Sequence, residues 1–323
     1  MRIAITGGTG FVGGHLAADL AARGHQVVAL ARGVDRRPWA REVLALPGVG
    51  HERVGIDDVD ALVRALDGCQ AVAHCAGVNR QLGRSTYQAV HVEGTANVVR
   101  AAELAGVERL ALLSFLRARP ACGSPYHESK WAAEELVRRA DLDWTVLKPG
   151  MIFGRGDHML DHLSHALHTF PVFVGLGRMR VRPLAVQDVV KVLRAALVDA
   201  RLARTTVPVL GPTELDVQAA VQVVADATGR HPPILPLPLG PHYTAAAWAL
   251  ERLMTVPMLS MAQVRILREE VVEPVLAPDA LPADLVPTTP YDLATVRAGL
   301  PEPGRFGRQD LRWCRPKAQP AAV

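Results

Sequence analysis

A short apolar run, Arg2–Thr6, opens the chain, and similar runs recur at Gln26–Ala31, Ala71–Cys75, Leu110–Ser114 and Trp144–Lys148. Between them, apolar residues return at helical spacing over Phe11–Arg23, Tyr87–Leu104 and Tyr126–Ala140. Short β-branched runs alternating with longer helical stretches predict a parallel sheet wrapped by helices. Runs such as VVALA and LALLS carry no polar alternation, as strands buried on both faces require. The pattern changes near residue 200: seven of the 24 prolines precede it and the other 17 follow. Thr244–Met254 reads as a helix, and Ser260 with Gln263 has the form of a capping box opening another, to about Glu270. Residues 274–323 hold nine prolines and little periodicity, which predicts a wrapping arm and a loose tail. The expected fold is α/β: a doubly wound parallel sheet of the Rossmann kind over residues 1–200, with some lobe segments inserted after about 150. A smaller proline-rich lobe, for substrate or interaction, follows over 201–323.

Composition narrows the function classes. With 49% hydrophobic and 21% charged residues among 323, the chain has a large core and is not disordered. A net charge of +4 from dispersed basic residues argues against nucleic acid as a partner. Cys69, Cys75, Cys122 and Cys314 form no CxxC pair, so neither a zinc site nor a disulfide framework is expected. No stretch offers the 18 apolar residues of a membrane span, and the opening lacks a signal-peptide pattern. A reduced, soluble, cytoplasmic protein is expected; association with a membrane surface or a larger complex, and the oligomeric state, stay open.

The first chemical motif is Gly7-Gly8-Thr9-Gly10-Phe11-Val12-Gly13, placed between the first strand and the first helix. Gly7 suits a tight turn, Gly10 lets backbone amides approach a pyrophosphate, and Gly13 lets the helix pack closely on the strand. Free amides at the helix start, near Phe11 and Val12, then face the phosphates. The second strand runs into Arg32, with Arg36 and Arg37 beyond, where an NAD enzyme places a carboxylate on the ribose. A guanidinium there suits a 2′-phosphate, so NADP(H) is favoured over NAD(H), with Asp35 as the residue that would serve NAD.

The second motif is Tyr126-His127-Glu128-Ser129-Lys130. On a helix its phenol and ammonium share one face, a turn apart. A phenol titrates near 10, and a neighbouring cation would favour its phenolate and fit it for acid/base work. Only four of the 36 basic residues are lysines, and one stands here. Ser114, at the end of a strand, is the candidate for orienting a reacting oxygen, with Ser124 as its competitor.

Together these residues resemble the short-chain dehydrogenase/reductase superfamily, in its extended or atypical branch of NAD-dependent epimerase/dehydratase type. TGGTGFVG is similar to the family's glycine loop, and YHESK to its YxxxK pair. Ala73–Gly77 resembles the segment beside the adenosine, which implies cofactor contacts from Cys75, Ala76 and Gly77. Leu147–Gly154 resembles the segment near the nicotinamide and brings in Pro149, and the acidic adenine contact falls on Asp57, in competition with Ile56 and Asp58. Lys130 would also hold the nicotinamide ribose. The segments at 90–95, 180–189 and 263–270 are further similar to bacterial relatives of the nucleotide-binding accessory subunit of respiratory complex I. His91 stands where many extended members carry asparagine, and Lys148 where arginine is usual.

Two functions follow. One is hydride transfer between NADP(H) and a carbonyl or alcohol carbon of a small molecule, with epimerase and dehydratase cycles sharing the same start. The other is a structural or sensing nucleotide-binding protein acting through a partner. A closed polar pocket over Tyr126 would favour the first, and an exposed apolar surface the second. His158, His162 and His165 share a helical face but read as a solvated or substrate-lining helix, so no metal is expected. The helix around Trp248 reads as a lid.

Overall fold

The computed structural model describes residues 1–33, 38–175, 179–237, 240–255, 257–276 and 278–311. Asp35, Arg36, Arg37 and Cys314 lie outside the described residues. Seven parallel strands make the central sheet: β1 (Arg2–Thr6), β2 (Gln26–Leu30), β3 (Val49–Glu52), β4 (Ala71–His74), β5 (Arg109–Leu113), β6 (Asp143–Pro149) and β7 (Thr205–Val209). Their order across the sheet is β7-β6-β5-β4-β1-β2-β3, so the chain reverses direction between β1 and β4. In doubly wound sheets the crevice at such a reversal, beyond the strands' carboxyl ends, is where ligands bind.

Each strand's alternation sends side chains to two helical layers. Ile3 and Ile5 pack against Leu16 and Leu20 of α1 (Phe11–Ala22), with Val43 of α2 (Pro38–Leu44) in the same cluster. On the other face Ala4 meets Leu62 of α3 (Val59–Leu66), Val98 of α4 (Gly94–Leu104), and Ala133 and Val137 of α5 (Pro125–Arg138). The expected helix from Tyr87 begins with a π-helical segment, Gln88–Glu93, before α4 takes over.

Two strands escape the apolar pattern, each at an edge. β3 reads VGHE and is only half-buried. β7 contains Pro208, and proline argues against a strand wherever a neighbour must pair with its amide; β7 pairs only with β6 and tolerates it. The sheet thus draws its last strand from beyond residue 200.

After β6 come α6 (His158–Thr169) and α7 (Val186–Leu197); α7 returns to the α1 face of the sheet. α6, α8 (Val217–Thr228) and α11 (Leu293–Gly299) share a second core that includes Leu160, Val224 and Val296. α9 (Pro241–Leu253) and α10 (Met261–Arg268) meet through Tyr243, Ala247 and Val264. α10 opens on the expected capping box: the Gln263 amide donates to Ser260 Oγ at 3.1 Å, and the Ser260 amide to Gln263 Oε1 at 2.8 Å. Among the described residues no helix is long and apolar enough to cross a membrane.

Candidate active site

The glycine loop lies at the point of strand reversal. Gly7 adopts a left-handed φ of 70°, and its amide donates to Leu30 O at 2.9 Å, tying the loop to β2. A Cβ on Gly7 would stand 3.0 Å from the Ala76 backbone, and one on Gly13 2.3 Å from Gly7 O. Both positions demand glycine. α1 begins at Phe11 with no capping side chain and no acidic residue in its first turn, which leaves its amides and dipole to an anion. The Val12 side chain joins the core, so only its backbone remains for a ligand.

At the far end of the crevice Arg32 is exposed, and its guanidinium donates to Ser85 Oγ at 3.4 Å. Three residues compete for the adenine contact. Asp58 caps α3 by accepting the Ala61 amide, and Ile56 packs against Gly94. Asp57 is left exposed beside Gly55 and Arg32. Burial pushes the Cys75 thiol up to about 12, against the pull of Lys130, so it stays protonated at neutral pH. Pro149 ends β6 and takes the Leu116 amide on its carbonyl at 2.9 Å. A Cβ on Gly77 would lie 3.3 Å from Lys130 Nζ and 3.6 Å from His91 Nε2. A lysine and a histidine therefore close on a bare stretch of backbone, in keeping with a dinucleotide lying along it.

α5 carries the candidate pair Tyr126 and Lys130. Ser124 precedes it in extended conformation and Pro125 occupies its first turn, so Tyr126 and Lys130 fall one turn apart. Lys130 is buried, and its ammonium donates to Leu113 O at 3.1 Å. Burial lowers its pKa to about 8, with Glu134 and Cys75 opposing. Tyr126 is buried too, and its hydroxyl donates to Asn79 Oδ1 at 3.4 Å. Tyr87, His91 and Phe115 meet its ring edge-on at 5.6, 5.7 and 5.6 Å. The expectation that Lys130 draws the phenol's pKa down fails in this geometry. Burial, with Tyr87 adding to it, holds the phenol above its ordinary value.

His91 braces the pair. The Val78 amide donates to its Nε2 at 3.1 Å, which puts the ring proton on Nδ1, 2.9 Å from Ser129 Oγ. Ser129 in turn donates to Tyr126 O at 2.8 Å. One imidazole thereby links the loop carrying Asn79 to the helical turn carrying Tyr126 and Lys130. It stays neutral, its pKa pushed down to about 2 by burial first, then by Lys130 and His74.

Ser114, expected to orient a reacting oxygen, has its hydroxyl proton engaged. Its hydroxyl donates to Glu134 Oε1 at 2.5 Å. Glu134 has no exposed surface; it also accepts Lys148 Nζ at 2.6 and 2.8 Å and Arg138 at 2.7 Å. A carboxylate this well placed captures the serine, because a charge-assisted bond outcompetes a neutral one. Ser124, the competitor, lies 2.6 Å from His127 Nδ1. The polar group that meets the phenol is Asn79, which no spacing rule in the sequence singles out.

Residues 7–161 match the family model described as NAD(P)H-binding. The chain is 29% identical over 269 residues to an uncharacterised protein of Mycobacterium tuberculosis, covering 82% of this chain and 27% of that one. It is 34% identical over 217 residues to a ceramide reductase of Caulobacter vibrioides, covering 66% and 63%. The chain thus spans about a quarter of the mycobacterial relative and under two thirds of the reductase. Among solved structures, MoeE5 in complex with UDP-glucuronic acid and NAD superposes with a TM-score of 0.60 at 26% identity, covering 74% of this chain and 86% of that one. These matches are consistent with the resemblance to the extended short-chain dehydrogenase/reductases.

Segments from beyond residue 200 pack against the phenol. Ala262 of α10 and Val271 join Phe115, Leu116 and Tyr126 in one buried cluster, flanked by Tyr87, Leu210 and Ile266. The residues packed on the phenol from this side are apolar. The histidines of α6 serve packing: the His162 and His165 rings lie 6.0 and 5.7 Å from Phe306, and burial pushes His162 down to about 4. Among the described residues no group of three metal-ligating side chains forms.

Proposed function

We propose that this protein is an NAD(P)-dependent oxidoreductase that reduces a carbonyl on a small molecule, with Tyr126 as proton donor and Lys130 as the cation beside it. The observation that carries the reading is the convergence of Lys130, His91 and the bare Gly77 backbone next to Tyr126, at the sheet's reversal point. The relatives' names agree with it, since they include a ceramide reductase and a 2-alkyl-3-oxoalkanoate reductase. A reduced nicotinamide, when bound, supplies the hydride to the carbonyl carbon. Tyr126 gives its proton to the carbonyl oxygen. Burial holds the phenol above its ordinary pKa, so it starts in the protonated form that donation to a carbonyl oxygen requires. Lys130, still charged below about 8, stabilises the phenolate left behind and would hold the ribose hydroxyls of a bound cofactor. Tyr126, Lys130 and the backbone of Gly7, Gly10, Phe11, Val12, Gly13, Ala76 and Gly77 form the working set, with Asn79 and His91 added to it.

NADP(H) is the favoured nucleotide. No carboxylate stands at residues 31–33, and Arg32 is exposed there with only the Ser85 hydroxyl among its side-chain partners in the described residues. A 2′-phosphate would give that guanidinium a charged partner. The partner-protein alternative is not favoured, because Tyr126 is enclosed rather than displayed.

The test is Tyr126→Phe, assayed by NADPH-dependent carbonyl reduction and by calorimetric nucleotide titration. Turnover should fall at least about 100-fold, the usual share of a positioned acid, while nucleotide affinity stays put. Undiminished turnover removes Tyr126 from the mechanism.

A further inference from the structure

We infer that the carbonyl compound taken by this site is apolar around its reacting carbon, an alkyl-chain ketone or aldehyde rather than a nucleotide sugar. The inference rests on the oxidoreductase reading of Tyr126 and adds the substrate's chemical class.

A molecule whose oxygen reaches the Tyr126 hydroxyl must lie against what surrounds that ring. Apart from Asn79, the imidazoles of His91 and His127, and Lys130 one helical turn away, those neighbours are apolar or aromatic, with Phe115 and, from the lobe, Ala262, Ile266 and Val271. Displacing a sugar's hydroxyls from water into such walls leaves them unpaired, which costs more than it returns. Alkyl carbons gain from the same walls.

Two of the three guanidiniums that face His127, Arg117 and Arg119, point the same way; the third, Arg265, bonds a carbonyl, Gly123 O. A diphosphate needs guanidinium or ammonium groups that are not already neutralised. Arg119 lies 2.6 Å from Glu269, and Arg117 is 3.6 Å from the same carboxylate. Arg180 pairs with Glu214 and Glu270 at 3.0 Å each. A nucleotide sugar would have to break these pairs and strand their carboxylates beside its own charge.

The experiment uses the full chain loaded with NADP, titrated calorimetrically with methyl ketones of six, eight and ten carbons and, separately, with UDP-glucuronic acid. Affinity should rise roughly threefold to fourfold per added methylene, and the nucleotide sugar should give no binding. Ala262→Arg should weaken the ten-carbon ketone at least about tenfold while nucleotide affinity is unchanged. Should that variant fail to fold, Ile266→Gln serves in its place. Ketone affinity that is absent or indifferent to chain length on the NADP-loaded protein overturns the inference, as does binding of the nucleotide sugar. Failure of the protein to take up any dinucleotide is a different result, and it removes the oxidoreductase reading underneath.

Discussion

Lys130 and Lys148 are both buried, and both lie close enough to Glu134 for its charge to raise their pKa values against the lowering effect of burial. Lys148 places its ammonium on both Glu134 oxygens and on Ala118 O at 3.0 Å, so its three donors are all taken. Lys130 has one hydrogen bond among the described residues, to Leu113 O. The first lysine is finished as a piece of structure. The second keeps donors in reserve beside the bare backbone of Gly77, and a buried cation with unspent donors is the mark of a site built for a ligand. Ser114 falls on the finished side of this division and Tyr126 on the unfinished one.

The sharpest break of the comparison comes from removing the shared carboxylate. Glu134→Ala strands Lys148 in the core, and about 3–5 kcal/mol of stability should go, read from urea denaturation. The matching change at the site, Lys130→Met, removes a buried charge without orphaning a partner ion, so stability should hold or rise in the same assay. Equal losses in the two variants would erase the distinction. Ser114→Ala comes next. It deletes a bond to a charged acceptor, for about 1.5–3 kcal/mol of stability. Its rate of carbonyl reduction should match the parent's, and a fall in kcat at unchanged KM would return Ser114 to the chemistry.

This division explains how much could be read in advance. The glycine loop was legible because Gly7 and Gly13 answer local demands, a left-handed turn and a close approach of α1 to the loop backbone that a Cβ would block, that the sequence order strand-loop-helix exposes directly. Tyr126 and Lys130 were legible because their spacing is one helical turn. The direction of Ser114 was not, because two side chains can meet it at the end of β5, and the choice is made by Glu134, twenty residues on and on another element. Asn79 and His91 were hidden for the same reason: their roles arise where a loop after β4 meets the π-helical segment, a contact with no period. β3 and β7 were missed because edge strands need neither a full apolar run nor every amide.

The remaining predictions are smaller and concern the unfinished lysine alone. Lys130→Met should weaken dinucleotide binding about tenfold, the worth of roughly one charge-assisted pair of hydrogen bonds, in a calorimetric titration. The pH dependence then follows from the direction of the Lys130 shift. Its pKa falls from an ordinary 10.5 to about 8, so the folded protein sheds this proton first. Dinucleotide affinity should therefore decline as pH rises through about 8, and the decline should be missing in Lys130→Met. Folding responds with the opposite sign. Between about 8 and 10.5 the unfolded chain still binds the proton that the folded one has lost, so this group's contribution makes the protein more stable as pH rises. Stability that fell as pH rose through this range would mean that the folded state does not hold the Lys130 pKa below its ordinary value.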